Sequence, residues 1–362
     1  MKRREFIKNG AIAMGAIGLG GCQRPQEHQS ITINKGKKTT LKLSTSWPAH
    51  FPIMGTGVDA FAARCKELSG GTLEIKVYPK DILVPALAVF DTTSNAQIDA
   101  FHSGVYYWKG KNSAFSIFGG MPLGLTSEEM VTWMHFGGGM ELWRKMYAKF
   151  NLYPLIGGTT GPQMGGWFKK QILSLQDLKG LKMRIPGLGG EVMERLGVNP
   201  VLLPPGEIYT ALERGTIDAT EWVGPALDTL MGFAKVAPYY YKGWHEPGSI
   251  LEITFNLNRW NTLSKEHQAI ISCAASEMTT NMLNEFRYKN ALALQELPKS
   301  VEIKEFPNDV ITKAKEVLQE VLEEESRKSS DFKEVLESYQ AFEKLNHPYD
   351  DITTRNFLNI RG

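Results

Sequence analysis

The chain has 362 residues, of which 42% are hydrophobic and 22% charged. Such a composition suits a folded protein of two lobes and excludes collagen, coiled coil and wholesale disorder. Lys and Arg number 41 against 39 Asp and Glu, a formal charge of +2, so there is no basic field for a phosphate backbone and nucleic acid is not an expected partner.

The chain opens on an export signal. Lys2, Arg3, Arg4 and Lys8 precede an uncharged stretch of small apolar residues from Gly10 to Gly21. The run is too short for a membrane-spanning helix, which needs about 20 apolar residues. Arg3-Arg4 followed by Phe6 resembles the twin-arginine motif of the pathway that exports folded cargo. Leu19-Gly20-Gly21-Cys22 resembles a lipobox, in which the cysteine is lipidated after cleavage. Residues 1–21 thus read as a removable signal and the mature chain as a periplasmic lipoprotein anchored through Cys22, with a plain cleaved signal beside an incidental cysteine as the alternative. Cleavage takes Lys2, Arg3, Arg4, Lys8 and Glu5 away and leaves the remainder near neutral. Residues 22–38 are polar and read as a tether. Cys65 and Cys273 lack CxxC or His-rich spacing and read as unpaired thiols.

From residue 39 the pattern is β-α-β-α-β. Leu41 to Thr45 (LKLST) alternates as a strand, Val58 to Leu68 has helical spacing closed by Gly70-Gly71, and Leu73 to Tyr78 (LEIKVY) alternates again. Pro85 to Asn95 reads as a helix and Ile98 to Phe101 as a strand. The same grammar returns at Leu181–Ile185 (strand), Gly190–Leu196 (helix), Pro200–Leu203 (strand), Glu207–Arg214 (helix) and Thr216–Val223 (strand). Both units end on a matching phrase, Gln97-Ile98-Asp99-Ala100 and Thr216-Ile217-Asp218-Ala219. The expectation is an α/β protein of two similar lobes, each a mostly parallel sheet with helices on both faces. Lobe 1 is assigned to 39–160, completed by part of 250–308, and lobe 2 to 161–249. Ser264 to Leu297 reads as one or two long helices and Val301 to Phe306 as a short strand. Residues 309–362 form a helical C-terminal region, amphipathic over Asp309 to Leu345.

Ligands of open parallel sheets bind beyond the carboxyl ends of strands. Four segments stand there: Thr45–Pro48, His102–Trp108, Met183–Gly187 and Thr220–Pro225. Arg184 carries a planar fork that can grip a carboxylate with two hydrogen bonds, and the helix starting near Gly189 points free N–H groups at the same loop. A structural ion pair is the competing role for Arg184. Glu221, placed within the strand TIDATEWV, needs a cation or hydrogen bonds to offset burial beside Trp222. Seven scattered histidines and no paired cysteines disfavour zinc or copper, whereas oxygen donors suit Na⁺ or Ca²⁺. Gln163 could add an amide oxygen. The GLGG of 187–190 lacks the third glycine of a dinucleotide fingerprint, since Val192 stands there, and serves a strand-to-helix turn. No GxSxG, HExxH or paired carboxylates argue for catalysis, so the chain reads as a non-enzyme.

The twin-arginine leader, FHSGVYYWKGKNSAFSIFGGMPLG at 101–124, the stretch from Lys182 to Pro225 with RIPGLGGE and IDATEWVGP, and YYYKGWHEPG at 239–248 resemble solute-binding proteins of tripartite ATP-independent periplasmic (TRAP) transporters. The resemblance is to the branch that binds 2-oxo or 2-hydroxy acids with a cation. It implies a type II-like periplasmic binding protein, two lobes around a cleft and a long helix bridging them. It implies that Arg184 pairs with the substrate carboxylate, that Gln163 contacts substrate and cation, and that Glu221 and the backbone carbonyl of Trp222 hold the cation, with Glu246 and Tyr106 or Tyr107 completing the pocket. It further implies a TRAP membrane permease as partner and a homodimer through C-terminal helices. A twin-arginine-exported periplasmic oxidoreductase is the alternative.

Overall fold

The computed structural model describes residues 37–361. The twin-arginine leader, the lipobox at Cys22 and the tether up to residue 36 lie outside the described residues. Eleven strands follow in chain order: β1 (Thr39–Thr45), β2 (Leu73–Tyr78), β3 (Ala100–Gly104), β4 (Leu152–Thr159), β5 (Gly166–Phe168), β6 (Lys182–Arg184), β7 (Asn199–Val201), β8 (Ala219–Thr220), β9 (Tyr239–Tyr241), β10 (Ile250–Asn256) and β11 (Glu302–Lys304). The alternation in LKLST resolves on β1, where Leu41 and Leu43 are buried and Lys42 is exposed.

The strands form two sheets of one design. The first runs β2-β1-β3-β10-β4, and the second β7-β6-β8-β5-β9 with β11 added at its edge. In each, the leading three strands pair in parallel, as the two β-α-β-α-β patterns require. In each, a strand that follows a crossing between the lobes is inserted antiparallel beside the third: β10 next to β3, and β5 next to β8. The sheets are therefore mixed. Each inserted strand lies outside the β-α-β-α-β unit it joins, β5 ahead of one unit and β10 well beyond the other, and both follow directly after the chain crosses between lobes.

The repeated phrase has a physical role. Asp99 accepts the Lys42 amide on its carboxylate at 2.7 Å, donates its own amide to the Lys42 carbonyl at 3.1 Å and accepts the Asn256 amide on its carbonyl at 2.9 Å. Asp218 repeats all three contacts, with the Lys182 amide at 2.9 Å, the Lys182 carbonyl at 2.7 Å and the Lys169 amide at 3.1 Å. One aspartate per lobe thus clips the first strand and the inserted strand to the start of the third. Each is followed by a fully buried alanine, Ala100 or Ala219.

Several elements differ in extent. The helix expected from Pro85 is confined to Val89–Ser94, after a turn in which the Ala88 amide reaches the Pro85 carbonyl. The expected strand Thr216–Val223 shortens to Ala219–Thr220. The helix expected from Gly190 begins at Gly187, whose φ of +65° favours glycine. GLGG therefore forms the first helical turn itself.

Ser264 to Leu297 is one continuous helix, Lys265–Gln295, opened by Ser264 Oγ accepting the His267 amide at 3.1 Å. It packs on β4 and the helix Met54–Leu68 in the first lobe and on Pro225–Leu230 in the second, so it bridges them. The C-terminal helices Asn308–Lys328 and Ser330–Ile352 also straddle both lobes. The former lies on the helix Gly187–Arg195, with Arg195 forked onto Glu324 at 3.0 and 2.7 Å. The latter buries Tyr339 against Trp133 in the first lobe, the tyrosine hydroxyl accepting the Leu125 amide at 2.6 Å. Among the described residues no helix is long and apolar enough to cross a membrane. Cys65 is buried, Cys273 exposed, and both are free.

Candidate functional site

The first lobe contributes one short turn. β3 ends at Gly104 and the chain tightens into a single 3₁₀ turn, Val105–Trp108, that carries Tyr106 and Tyr107, both buried. Their rings meet edge to face with centroids 4.8 Å apart. Across the cleft, β6 ends on Arg184 and β8 on Thr220, so Glu221 and Trp222 lie just past the strand and not within it. A two-residue strand leaves the next side chains free to face the cleft. Two of the chain's crossings between the lobes supply the rest: residues 160–165 carry Gln163, and residues 242–249 carry His245 and Glu246. These crossings touch, with the Gln163 amide donating to the Glu246 carbonyl at 2.9 Å. A β-carbon on Gly243 would stand 1.9 Å from the Gln163 carbonyl oxygen, so only glycine fits there.

Arg184 and Glu221, each 1% exposed, are paired with each other. Arg184 donates from Nη1 to Glu221 Oε2 at 2.9 Å and to the Glu221 carbonyl at 3.0 Å. Its Nη2 donates to the Tyr107 hydroxyl of the opposite lobe at 3.2 Å, and the guanidinium lies 5.3 Å from the Trp222 ring. The indole of Trp222 meets Trp47 and Phe51 of the first lobe edge-on, each at 6.4 Å. Of the four strand-end segments, Thr45–Pro48 thus adds an aromatic wall, and the other three supply the polar groups. The lobes meet through these contacts.

The electrostatics are those of charges gathered away from water. Burial pushes the Glu246 carboxyl up to about 7, with His245 opposing the shift and Glu221 adding to it. Burial works against a charged His245, but Glu221 outweighs it and holds the imidazole above its ordinary range. The His245 Nε2 to Glu221 Oε1 separation is 3.9 Å, an ion-pair distance too long for a hydrogen bond. Burial likewise raises the Tyr106 and Tyr107 hydroxyls.

Several buried atoms here lack hydrogen-bond partners among the described residues: Gln163 Oε1, Glu246 Oε2, both ring nitrogens of His245 and the indole nitrogens of Trp222 and Trp244. Each such group costs about 1–3 kcal/mol, and native proteins satisfy nearly all of theirs. Their concentration beside Arg184 and Glu221 marks a site for a polar guest. The oxygens of Gln163, Glu221 and Glu246 suit a hard cation, and the guanidinium, imidazole and indoles suit an anion. Among the described residues no three His, Cys, Asp or Glu cluster as a metal site, so amide and backbone oxygens must complete any coordination shell.

Sequence reasoning missed His245 and Asp228. The strand-end rule passes over the crossing that carries His245, although the HEPG phrase names it. Asp228 accepts the Val223 and Gly224 amides at 3.1 and 3.0 Å on one oxygen, and Trp167 Nε1 and the Tyr240 hydroxyl at 3.0 and 2.8 Å on the other. It fixes the turn that follows Glu221 and Trp222, and burial pushes its carboxyl up to about 7.

Residues 43–328 match the family profile described as bacterial extracellular solute-binding protein, family 7 (DctP). A monocarboxylate 2-oxoacid-binding periplasmic protein of Nostoc sp. is 39% identical over 365 residues, 99% of this chain and 99% of that one. A TRAP periplasmic solute-binding protein of Colwellia psychrerythraea, solved with bound calcium and pyruvate, superposes with a TM-score of 0.87 at 41% identity, covering 89% of this chain and 99% of that one. One from Pseudoalteromonas atlantica, solved with bound sodium and pyruvate, gives 0.87 at 38% over the same shares.

Proposed function

Because the chain belongs to the DctP family of bacterial extracellular solute-binding proteins, we propose that it captures a small 2-oxo or 2-hydroxy monocarboxylate together with Na⁺ or Ca²⁺ and delivers it to a TRAP membrane permease. The observation that carries this reading is the buried Arg184–Glu221 pair, ringed by unpartnered polar atoms of both signs.

The pair explains why a cation is needed. An anionic ligand entering alone would meet Glu221 as well as Arg184. A ligand carboxylate entering with a cation inserts an opposite pair between guanidinium and carboxylate, so that charges alternate and each keeps a partner. In this reading Arg184 grips the ligand carboxylate, Glu221, the Gln163 amide oxygen and the Trp222 carbonyl hold the cation, and Glu246 with Tyr106 or Tyr107 closes the pocket. Gln163 touches both guests. The bound cation supplies charge neutralisation at Glu221. Contacts made only when the lobes meet let ligand draw the protein toward the closed state that a permease can recognise.

Cys22 anchors the chain to a membrane after twin-arginine export, and the ligand leaves chemically unchanged. Leu345, Tyr349 and Ile352 on Ser330–Ile352, and Phe357 and Ile360 on the following helix Thr354–Arg361, are exposed apolar side chains suited to a second copy of the chain. Calorimetry of the purified protein against 2-oxo, 2-hydroxy and dicarboxylic acids, with and without calcium or sodium, tests the ligand class. Tight binding of an uncharged sugar, unaffected by Arg184→Ala, would refute it. A visible chromophore or turnover of the ligand would favour an oxidoreductase instead.

A further inference from the structure

His245 is fully buried, and neither ring nitrogen has a hydrogen-bond partner among the described residues. An imidazole always presents at least one N–H donor, so full burial without a partner is costly unless something else completes the site. The ring is held firmly. Its Cβ and Cδ2 lie 3.4 Å from where a β-carbon on Gly189 would stand, in the first turn of the helix Gly187–Arg195, and the Trp244 ring tilts beside it at 5.5 Å. Its Nε2 points toward the charged centre, 3.9 Å from Glu221 Oε1.

Arg184 is the donor matched to a carboxylate, by charge and by its fork. That leaves the oxygen on the ligand's second carbon, the feature separating 2-oxo and 2-hydroxy acids from simple fatty acids, without an assigned protein contact. We infer that His245 is the residue that reads this oxygen, its ring nitrogen hydrogen-bonding the 2-oxo or 2-hydroxy group beside the cation held by Glu221. The assignment rests on the ligand class proposed above and names the residue that selects within monocarboxylates. An imidazole suits both oxidation states of that carbon, because it can donate to a ketone oxygen and either donate to or accept from a hydroxyl. A buried polar group of this kind also rejects ligands that leave it unpaired.

The test is calorimetry at saturating calcium with pyruvate, lactate and propionate, which carries no oxygen on its second carbon. The proteins are the wild type, His245→Phe and His245→Gln, with the melting temperature of each ligand-free protein as a check on folding. The wild type should prefer pyruvate and lactate over propionate. In His245→Phe the affinity for pyruvate should fall by about tenfold to a hundredfold, the loss of one hydrogen bond in a charged setting, while propionate changes by less than about twofold. His245→Gln, which retains a donor, should recover part of the loss. Should His245→Phe not fold, His245→Asn replaces it, since its shorter amide draws the donor back. Equal losses for pyruvate and propionate, or no loss for either, would overturn the role of His245. A wild type that ignores all three acids would overturn the ligand class and the assignment with it, and that failure shows without any variant.

Discussion

Arg184 Nη1 lies 2.9 Å from Glu221 Oε2 with both side chains almost wholly removed from solvent. A guanidinium at the end of one strand and a carboxylate just past the end of its neighbour therefore neutralise each other in the heart of the cleft. Breaking a buried pair by removing one partner leaves the other charge uncompensated, at a cost of about 3–5 kcal/mol. Glu221→Ala should lower the stability of the ligand-free protein by that order in urea unfolding. Retention of wild-type stability would show that Arg184 finds another partner or water.

Cation and ligand should stabilise together. For a protein that binds only when folded, free ligand at a hundred times its dissociation constant adds about 2.7 kcal/mol. Pyruvate with calcium should raise the melting temperature, pyruvate with a chelator should raise it far less, and Glu221→Gln should abolish the difference. An undiminished shift in chelator would leave calcium without a role and move the test to sodium-free buffer.

Glu252 sits on β10 in the interior of the first lobe, accepting from Trp108 Nε1 at 2.6 Å, from the Tyr147 hydroxyl at 3.3 Å and from the Thr254 hydroxyl. Burial pushes its carboxyl from 4.5 up to about 8. The folded protein holds this proton where the unfolded chain has lost it, so the contribution is complete below about pH 4.5. It declines between about pH 4.5 and about 8, by at most about 1.4 kcal/mol per pH unit, and levels off above that. Urea unfolding across this range should show that decline in the wild type, and Glu252→Gln should remove it. Parallel profiles for the two proteins would mean that the carboxyl is not protonated in the fold.

The two chain crossings touch at Gly243. With a β-carbon placed 1.9 Å from the Gln163 carbonyl oxygen, Gly243→Ala must push the crossings apart and separate Gln163 from Glu246. Overpacking of this kind costs about 1–3 kcal/mol. Ligand affinity should fall alongside stability, because both side chains belong to the proposed pocket. A stable variant with wild-type affinity would show that the crossings can shift without disturbing it.

The exposed apolar side chains of the C-terminal helices predict self-association. Light scattering over a range of concentrations should report a dimer, and Leu345→Ser with Phe357→Ser should shift it toward monomer without loss of ligand binding. A wild type monomeric at all concentrations would remove the second copy as its occupant.

Much of this was written in local pattern. The strands of each β-α-β-α-β unit announce themselves because alternation and helix closure are local, and the repeated Ile-Asp-Ala phrase marks equivalent places because Asp99 and Asp218 perform the same clip. The inserted strand β5 was opaque, and β10, although its residues fall in the 250–308 stretch assigned to complete lobe 1, could not be given its place between β3 and β4, because those partners are distant in sequence. Arg184 and Glu221 could be chosen by chemistry and strand-end position. Their contact with each other could not, since it depends on β6 and β8 being neighbours in register, Arg184 opposite Thr220. His245 escaped because it lies on a crossing with no periodicity to mark it.

The last helices bear on how far the molecule can gape. Asn308–Lys328 is fastened to one half through Arg195 and Glu324, and Ser330–Ile352 to the other through Tyr339 and Trp133. Ser329 alone joins them, in extended backbone, its hydroxyl accepting the Phe332 amide at 3.2 Å. A jaw strapped across its outer side opens against that joint as well as against the bridging helix Lys265–Gln295, so the backbone at Ser329 is one of the places where the width of the cleft is limited.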